Sequence, residues 1–328
     1  MTEISYLHHA LTLATRGLGR VAPNPAVGCV IVSPDGRVVG RGWTQDGGRP
    51  HAEAVALAQA GEAARGATAY VTLEPCAHLG KTPPCADALV AAGVARVVAA
   101  VEDPDPRVKG GGFAILRAAG IEVVTGVLEK EAAALNEGFF LRIRENRPLV
   151  TLKIAQSRDH KTVPPPGAGK WITGEEARRY AHLLRAQHDA ILVGSGTVLD
   201  DDPALTVRLP GLEKYSPLRG VLDRRGRIPK TAKLATPDTL VFDADIPAVL
   251  HALAGRGVTR LLVEGGATVI SAFLAAGFAD RLELFTAPIT LGESAGGDVS
   301  ALVESPDFVR VNKRFLGVDT LESYARRA

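Results

Sequence analysis

The stretch YVTLEPCAHLGKTPPC, residues 70–85, decides how the first half of the chain folds. Its first residues end a predicted strand, ATAYVTLEP, and its last cysteine opens a predicted helix, CADALVAAG. Between Cys76 and Cys85 lies the segment AHLGKTPP, a loop that can return the second cysteine to the first. Upstream, the tripeptide His-Ala-Glu at 51–53 opens another predicted helix, which Gly61 ends. One histidine and two cysteines therefore lie at element ends, where folding can bring them together.

These residue types are ligands that zinc prefers. His51, Cys76 and Cys85 supply three protein ligands, which leaves a fourth position open for water, as in catalytic zinc sites. Bound zinc lowers the pKa of such a water from about 15.7 to about 7. The helix starts at His51 and Cys85 favour a thiolate and a bound anion.

Glu53 lies too close to His51 to be a natural fourth ligand. We expect it to carry protons from the water to a ring nitrogen and then to departing ammonia. Zinc base deaminases have the signature H-x-E followed by P-C-x-x-C, with the glutamate as acid and base. The second cysteine is displaced in this chain, but the residue types and their order predict a zinc-dependent deaminase acting on a heterocyclic amine.

Two alternative interpretations of the cluster remain open. The histidine and the cysteines can be unrelated core and surface residues. They can also form a structural zinc site with His78 as the fourth ligand, although Glu53 would then have no evident role. Cys29 lies inside the apolar strand AVGCVIVSP, and we expect it to pack in the core.

Strand-like and helix-like segments alternate through the rest of the first half. Two strands surround the Asp35-Gly36 turn, which is a hairpin signal. A single helix, EAAALNEGFFLRIREN at 131–146, is predicted to close this half, and Pro148 disfavours its continuation. We therefore expect an α/β sandwich with a partly parallel sheet over residues 1–146, and a second domain over residues 149–328.

The second half alternates in the same way, from the strand LVTLKIAQS to the helix ATVISAFLAAG. It has no G-x-G-x-x-G, so a Rossmann fingerprint is excluded. The strand LLVE runs into Gly265-Gly266 and then into a helix. Glycines at this point would let a pyrophosphate approach the backbone amides of the helix N-terminus. A plain turn is the alternative explanation for the two glycines.

Composition narrows the class of protein. The chain has 328 residues, which suits two domains, and 38 Lys and Arg nearly balance 36 Asp and Glu. Near-neutral charge and an aromatic content of 5% argue against a nucleic-acid partner. The N-terminal segment has no apolar core typical of a signal peptide, and no apolar run approaches the ~18 residues of a membrane span. The three cysteines are then expected to be reduced thiols in the cytoplasm.

The first half resembles the family of bifunctional riboflavin-biosynthesis deaminase/reductases. The matching segments are Pro23-Asn24-Pro25, Val27-Gly28, His51-Ala52-Glu53, residues 70–85 and Leu135-Asn136. The long loop between the cysteines separates this family from cytidine and transfer-RNA deaminases. The resemblance implies an N-terminal cytidine-deaminase-like α/β/α sandwich, with zinc held by His51, Cys76 and Cys85. It also implies Glu53 as the proton donor and Asn24 as a substrate contact, although Asn24 can instead be a turn residue between two prolines.

The second half resembles the reductase of the same family, a C-terminal α/β domain whose fold is like that of dihydrofolate reductase. The matching segments are Lys153-Ile154-Ala155, Trp171-Ile172-Thr173-Gly174, Leu184-Arg185-Ala186, residues 189–208 and residues 263–274. The resemblance implies NADPH binding, which we assign to Ala155, Gln156, Trp171, Thr173, Thr197, Asp201, Arg224, Gly265 and Gly266. Substrate binding is assigned to Lys170, Arg185, Leu205, Arg208 and Glu264.

Arginines suit a phosphorylated substrate because a guanidinium binds phosphate through paired hydrogen bonds. Arg185 and Arg208 are expected to have this role. Arg224 would hold the extra phosphate that distinguishes NADPH from NADH. For each of the three, an ordinary solvated arginine is the alternative.

The implied activity lies early in riboflavin synthesis. Water activated by zinc would deaminate 2,5-diamino-6-(5-phosphoribosylamino)pyrimidin-4(3H)-one at C2. NADPH would then deliver hydride to C1 of the ribosyl group of 5-amino-6-(5-phosphoribosylamino)uracil, which gives the ribityl product. We expect a small-molecule substrate, no membrane partner and a homodimeric assembly.

The second half departs from the family pattern after its first strand. The family usually has Ser-x-Asp-Gly-Lys there, whereas residues 157–161 read SRDHK and Pro164-Pro165-Pro166 follow. If His160 occupies a position that needs positive φ, it costs stability or reshapes the loop. The segment between Arg208 and Glu264 is also somewhat short.

A deaminase fused to a non-catalytic binding or dimerisation domain is therefore one alternative. A nucleic-acid-editing deaminase, which should carry a basic strip with interleaved aromatics, is the other.

Overall fold

The computed structural model describes residues 2–77, 83–167, 169, 171–300 and 305–327. It folds into two compact units, a first unit of Met1–Asn146 and a second unit of Arg147–Ala328. Within the part of the chain that the structure describes, every helix is too short or too polar to span a membrane.

The first unit is built on one five-stranded sheet of order β2-β1-β3-β4-β5. Its strands and helices are α1 Glu3–Ala14, β1 Gly28–Val32, β2 Val38–Trp43, α2 Ala52–Ala60, β3 Thr68–Val71, α3 Cys85–Ala91, β4 Arg96–Ala99, α4 Gly111–Ala118, β5 Glu122–Thr125, α5 Glu129–Leu135 and α6 Glu137–Glu145. Strand β1 pairs antiparallel with β2 and β3, and β3, β4 and β5 are mutually parallel. The predicted alternation of strands and helices and the partly parallel sheet are both confirmed.

Glycines let helices approach this sheet closely from both faces. A Cβ at Gly28 would lie 1.9 Å from the carbonyl oxygen of Ala10 in α1, and one at Gly42 would lie 2.0 Å from that of Ala52 in α2. Gly28 pairs with Trp43, the neighbour of Gly42, so the two glycines face opposite sides of the sheet. Helices α1 and α2 therefore cover opposite faces, which gives the expected α/β/α sandwich.

The prediction of one closing helix over 131–146 is wrong, because the helix is interrupted at Asn136. The Asn136 side chain accepts a hydrogen bond from the Ala26 backbone N–H (2.8 Å) and donates one to the Ala26 carbonyl (2.9 Å). Asparagine side chains that pair with backbone compete with helical hydrogen bonding. Asn136 instead fixes the loop before β1, a partner 110 residues away that local sequence cannot reveal.

The second unit contains an eight-stranded sheet of order β10-β9-β8-β11-β6-β12-β15-β14 and a small sheet of β13 and β7. Its elements are β6 Leu149–Gln156, β7 Lys161–Val163, α7 Glu175–Ala186, β8 Ala190–Gly194, α8 Ser195–Asp201, β9 Leu218–Leu222, β10 Thr239–Phe242, α9 Ile246–Gly255, β11 Arg260–Val263, α10 Ala267–Ala275, β12 Arg281–Thr286, β13 Gly296–Asp298, β14 Phe308–Leu316 and β15 Asp319–Arg326. The strands from β10 through β12 are parallel, whereas β15 and β14 pair antiparallel.

The parallel strands of this sheet are buried on both faces. Leu192 and Val263 pack in one apolar cluster, while Ile191, Val193 and Leu262 pack in another. Burial on two sides explains why these strands read as continuous apolar runs. The carboxyl ends of β6, β8, β9 and β11 lie along one edge, where ligands bind in open α/β sheets.

Candidate active sites

Three elements bring His51, Cys76 and Cys85 together in the first unit. His51 precedes α2, Cys76 follows β3 and Cys85 opens α3. The His51 Nδ1 atom lies 3.6 Å from the Cys76 Sγ and 3.4 Å from the Cys85 Sγ. The Cys85 backbone N–H also donates to the Cys76 sulfur at 3.3 Å. All three ligand atoms lie within 4.8 Å of one another, as a shared metal ion requires.

The donor set and its distances fit zinc. A tetrahedral ion with Zn–S near 2.3 Å and Zn–N near 2.0 Å separates its ligand atoms by roughly 3.5–3.8 Å. The observed nitrogen-to-sulfur distances, 3.4 and 3.6 Å, match that spacing closely. His78, the fourth ligand in the structural-site alternative, lies outside the described residues. Among the residues that are described, these three form the group suited to hold a metal.

The electrostatics of the two cysteines also favour a cation. A hydrogen bond from the Cys85 thiol lowers the pKa of Cys76 to about 4, and the His51 ring supports this shift against the effect of burial. The same hydrogen bond, with burial, raises the pKa of Cys85 well above its usual range. One sulfur therefore ionises easily and the other does not. Ionisation of both requires a positive charge between them, which a divalent metal supplies.

Glu53 lies in the first turn of α2 and is buried, with only 3% of its surface exposed. Burial, and then the neighbouring Cys76 charge, raises the pKa of Glu53 to about 7. His51 and the Cys85 thiol oppose this rise in the pKa. A carboxyl group that exchanges its proton near neutral pH is suited to general acid–base catalysis.

Glu74 is a buried residue of this site that the sequence analysis missed. Its carboxylate accepts backbone N–H groups of Asp103, Gly110, Gly112 and Phe113, at 2.9 to 3.4 Å. Two of these donors lie in the first turn of α4, whose own N-cap glycine offers no side-chain acceptor. Glu74 thus caps α4 from a distance and fixes the start of the Pro-Cys segment that supplies Cys76. The available signal was a carboxylate near the end of the predicted strand ATAYVTLEP.

The candidate substrate residue Asn24 lies in a loop that is held at several points. Its amide nitrogen donates to the Gly48 carbonyl at 3.2 Å. Gly48 has φ +83°, and a Cβ there would collide with the Asn24 amide, so this approach needs glycine. Because Gly48 lies three residues before His51, Asn24 borders the segment that carries this candidate metal ligand.

In the second unit, two candidate substrate residues form a buried ion pair. Arg185 donates from Nε to Glu264 Oε1 at 2.7 Å and from a terminal nitrogen to Oε2 at 2.9 Å. Their side chains are only 13% and 10% exposed. Burial alone would raise the pKa of Glu264, but Arg185, aided by Lys153, lowers it to about 2. The pair is therefore charged throughout the neutral range.

Lys153 is a second residue that the sequence analysis did not assign to the site. It projects from β6, its ammonium lies 5.7 Å from the Phe285 ring, and burial lowers its pKa although Glu264 opposes this shift. A lysine within the apolar run LVTLKIAQS was the signal. Lys153, Arg185 and Glu264 together make a charged patch at the sheet edge.

Leu205 and Arg208 lie on the irregular segment that follows α8. Leu205 is buried and adopts φ +55°, whereas Arg208 is exposed. Arg185 reaches the same segment by donating to the Thr206 carbonyl at 3.0 Å. The structure therefore brings together four of the five candidate substrate residues of this unit. The fifth, Lys170, lies outside the described residues.

A cavity of about 410 Å³ lies beside the starts of α8, α9 and α10. It is lined by Ser195, Leu222, Arg224, Arg225, Arg227, Ala244, Asp245, Ile246, Pro247, Thr268, Val269, Ala272 and Ala276. Arg227 donates to the Ser195 hydroxyl at 2.8 Å, and Arg224 donates to the Ala244 carbonyl at 3.3 Å. The start of α9 is capped by the Asp245 carboxylate, whereas the starts of α8 and α10 have no side-chain cap. Three arginines and these two uncapped helix starts in one cavity suit an anionic ligand.

Gly265 and Gly266 lead from β11 into α10 at the edge of this cavity. A Cβ at Gly265 would lie 2.7 Å from the Val269 Cβ, so only glycine allows the helix to start so close to the strand. Gly266 is the N-cap and provides no side-chain acceptor to the first N–H groups of α10. Those donors are arranged as phosphate sites at helix N-termini are.

The remaining candidate cofactor residues are distributed along the same edge. Thr197 and Asp201 lie on α8, which begins at the cavity. Ala155 and Gln156 end β6, and the Gln156 amide donates to the Thr286 hydroxyl at 3.0 Å. Trp171 is 61% exposed with the Arg178 guanidinium 5.2 Å above its ring, and Arg178 also donates to the Thr173 carbonyl.

The loop after β6, whose sequence differs from the family pattern, is held by side-chain hydrogen bonds. His160 has φ +61°, so this position does require the left-handed backbone that glycine adopts at low cost. The Asp159 carboxylate accepts the Ser157 hydroxyl at 2.6 Å and the backbone N–H groups of Leu291 and Gly292 at 3.0 and 2.8 Å. These contacts hold the loop despite the unfavourable backbone of a histidine.

Comparisons with known proteins match each of the two units to a family. Residues 1–101 match the family described as the cytidine and deoxycytidylate deaminase zinc-binding region, and residues 148–323 match the RibD C-terminal domain. The riboflavin biosynthesis protein RibD of Aquifex aeolicus is 41% identical over 350 residues, covering 98% of both chains. That of Escherichia coli is also 41% identical, over 97% of this chain and 98% of its own.

Solved structures give the same result over the whole chain. Acinetobacter baumannii RibD is 40% identical with a TM-score of 0.90, and 99% of each chain is covered. A diaminohydroxyphosphoribosylaminopyrimidine deaminase/5-amino-6-(5-phosphoribosylamino)uracil reductase from Thermotoga maritima is 36% identical with a TM-score of 0.87, again over 99% of each chain. The whole chain, with both of its units, therefore has solved counterparts of the same architecture.

Proposed function

The chain belongs to the family of bifunctional riboflavin-biosynthesis deaminase/reductases, and from this premise we propose its substrates and the residues that act on them. The first unit deaminates 2,5-diamino-6-(5-phosphoribosylamino)pyrimidin-4(3H)-one. The second unit reduces the resulting 5-amino-6-(5-phosphoribosylamino)uracil to its ribityl form. The observation that carries the proposal is the His51, Cys76 and Cys85 cluster beside the buried Glu53.

In the first unit, His51, Cys76 and Cys85 hold zinc and Glu53 moves protons. Zinc, when bound, supplies the positive charge that makes a water molecule acidic near neutral pH. The water oxygen adds to C2 of the pyrimidine, and Glu53 accepts a proton from the water and returns it to the ring nitrogen. A second transfer through Glu53 protonates the amino group, the C2–N bond breaks and ammonia leaves. Asn24 binds the substrate from the neighbouring loop.

Position and burial suit Glu53 to this task. It is two residues from His51 on the first turn of α2, so it lies beside the metal site without being one of its ligands. Its surroundings exclude water, and a buried carboxyl group keeps a pKa near the operating pH. Glu74 contributes indirectly, because its contacts to α4 hold the loop that carries Cys76.

In the second unit, the charged patch and the segment from Leu205 to Arg208 form the substrate site. When bound, NADPH would supply hydride to C1 of the ribosyl group in its open-chain form, in which the C1–O4 ring bond has broken and C1 is double-bonded to the amine nitrogen. The nitrogen then takes up a proton from solvent, which completes the reduction to the ribityl product. Arg208 is exposed and is not part of the Arg185–Glu264 ion pair, so its guanidinium is suited to bind the substrate phosphate. Arg185 holds Glu264 ionised at the site, while Leu205 contributes an apolar wall. The arginine-lined cavity and the start of α10 hold the phosphates of the cofactor.

Three further properties are part of the proposal. Near-neutral charge and few aromatic residues support a small-molecule substrate over nucleic acid. Free Cys29, Cys76 and Cys85 support a reducing compartment, which we take to be the cytoplasm. Exposed apolar side chains at Val311, Phe315 and Val318 of the C-terminal hairpin support a homodimer.

Zinc content tests the first site directly. We expect the purified full-length protein to contain about one zinc ion per chain, because three ligands of suitable type converge. Cys85→Ser should lose most of the metal, whereas Cys29→Ser, a buried cysteine outside the cluster, should keep it. Elemental analysis of both variants gives the answer. A wild-type protein without zinc, or X-ray absorption showing four protein ligands, would contradict the proposed site.

Cofactor preference tests the role of Arg224. We expect NADPH to bind more tightly than NADH, because the cavity places arginines where an additional phosphate can sit. Arg224→Ala should weaken NADPH binding about tenfold and NADH binding less than about twofold. Fluorescence titration measures both, with Arg256→Ala, an exposed arginine outside the cavity, as the control. Equal losses for both cofactors would remove Arg224 from this role, and binding of neither would favour a non-catalytic second unit.

A further inference from the structure

The segment from Asp202 to Arg208 has no partner strand among the described residues. Its backbone groups are instead held by side chains. The Val207 N–H donates to the Ser216 hydroxyl at 3.0 Å, and the Thr206 carbonyl accepts the Arg185 guanidinium at 3.0 Å. A segment held in this way depends on those side chains for its conformation, because no ladder of backbone hydrogen bonds fixes it.

The segment also has an unfavourable backbone. Asp202 and Leu205 adopt φ of +41° and +55°, a region that non-glycine residues rarely occupy. Leu205 is buried while Arg208, three residues later, is exposed. The contacts around Thr206 and Arg208 must therefore hold the chain in this conformation.

His182 supplies one of these contacts from helix α7. Its Nδ1 accepts the Arg208 backbone N–H at 3.3 Å. Only a ring whose Nδ1 carries no proton can accept this hydrogen bond. Burial, and then the Arg185 and Arg208 charges, lowers the pKa of His182 to about 4, while Glu264 opposes the shift. The ring is thus uncharged at neutral pH.

We propose that His182 is a positioning residue for the reductase substrate. By holding the Arg208 backbone, it sets the conformation in which Leu205 and Arg208 line the site. This proposal rests on the proposed reductase function. It adds His182 to the residues that determine how the reductase binds its substrate. The Nδ1 of His182 is occupied by the Arg208 N–H, so His182 acts through Arg208 and not on the reacting atoms.

The test compares two substitutions in the full-length protein. Gln can replace this contact, because its side-chain oxygen accepts a hydrogen bond, whereas Leu cannot. With 5-amino-6-(5-phosphoribosylamino)uracil and NADPH, His182→Leu should raise the KM for the uracil substrate about fivefold, since the hydrogen bond that holds Arg208 is lost. The KM for NADPH and the rate of deamination should change less than about twofold. His182→Gln should restore the substrate KM to within about threefold of wild type.

Controls keep the outcome clear. His251→Leu, on the exposed side of α9, should leave every constant unchanged. If His182→Leu is not folded by thermal melting and NADPH titration, His182→Ala is tested by the same criterion. An unchanged substrate KM in the folded variant, or an equal rise for substrate and NADPH, overturns the proposal, as does failure of Gln to restore the KM. If the wild-type protein itself does not oxidise NADPH with this substrate, the proposed reductase function fails instead.

Discussion

Replacing Glu53 with Gln should lower the rate of deamination at least about a hundredfold while zinc stays bound. Gln keeps the size of the side chain and much of its hydrogen bonding, but it can neither accept nor return a proton. General acid–base catalysis typically contributes about 10²–10⁴-fold, and here one carboxyl group serves several transfers. Ammonia release from the diaminopyrimidine substrate measures the rate, and metal analysis of the same sample measures zinc.

The second unit provides the internal control for this variant. Reduction of 5-amino-6-(5-phosphoribosylamino)uracil, followed by NADPH oxidation, should persist because it uses residues of Arg147–Ala328 and no zinc. Full deaminase activity in Glu53→Gln would show that Glu53 does not move the protons. Loss of reduction in a folded Glu53→Gln protein would show that the two activities are not independent.

Removing one partner of the Arg185–Glu264 pair should have the largest effect on stability. Arg185→Met leaves a buried carboxylate without its guanidinium, and breaking a buried pair in this way typically costs about 3–5 kcal/mol. Both side chains are nearly inaccessible to water, so solvent cannot replace the lost hydrogen bonds. Urea unfolding measures the loss in the free energy of unfolding. Hydrogen exchange of peptides from β8 and β11 serves as the readout for the second unit.

The double variant separates stability from catalysis. Arg185→Met combined with Glu264→Gln removes both charges and should recover at least half of the lost free energy of unfolding. It should not recover reduction, because the charged pair at the substrate site is still missing. An Arg185→Met protein as stable as wild type would contradict the buried-pair interpretation. A double variant with normal reductase activity would remove the pair from the site.

The clustering of His51, Cys76 and Cys85 beside Glu53 was predictable from sequence, because each of these residues belongs to a short local motif. Zinc accepts few ligand types, and each of these residues lies at an element end that the pattern of apolar residues reveals. The buried parallel strands were also predictable, because strands that are buried on both faces have continuous apolar sequences.

Contacts between distant segments were not predictable. Glu74 binds backbone groups 29 to 39 residues away, and Asn136 breaks a helix to reach Ala26. Nothing in the neighbouring residues encodes either partner. The C-terminal hairpin of β14 and β15 was also missed, because β14 is an edge strand, FVRVNKRFL, whose polar residues are mostly exposed.

The roles of residues in the second unit were predicted from the family resemblance more than from the pattern of the sequence. The ion pair between Arg185 and Glu264 joins residues 79 positions apart, and His182 contacts a segment 26 positions further along the chain. Single arginines and histidines on a helix such as α7 look the same in sequence whether they are solvated or buried in a site. Only the fold distinguishes the two cases.

Product analysis of the full-length protein tests the central claim, that one chain carries both activities in succession. Given the diaminopyrimidine substrate without NADPH, the protein should release one ammonia per substrate and accumulate 5-amino-6-(5-phosphoribosylamino)uracil. With NADPH added, the same ammonia should appear, one NADPH should be oxidised per substrate, and the ribityl product should replace the uracil intermediate. Ammonia release with no NADPH oxidation would contradict the account by making the second unit non-catalytic, and NADPH oxidation with no ammonia would contradict the order of the two steps.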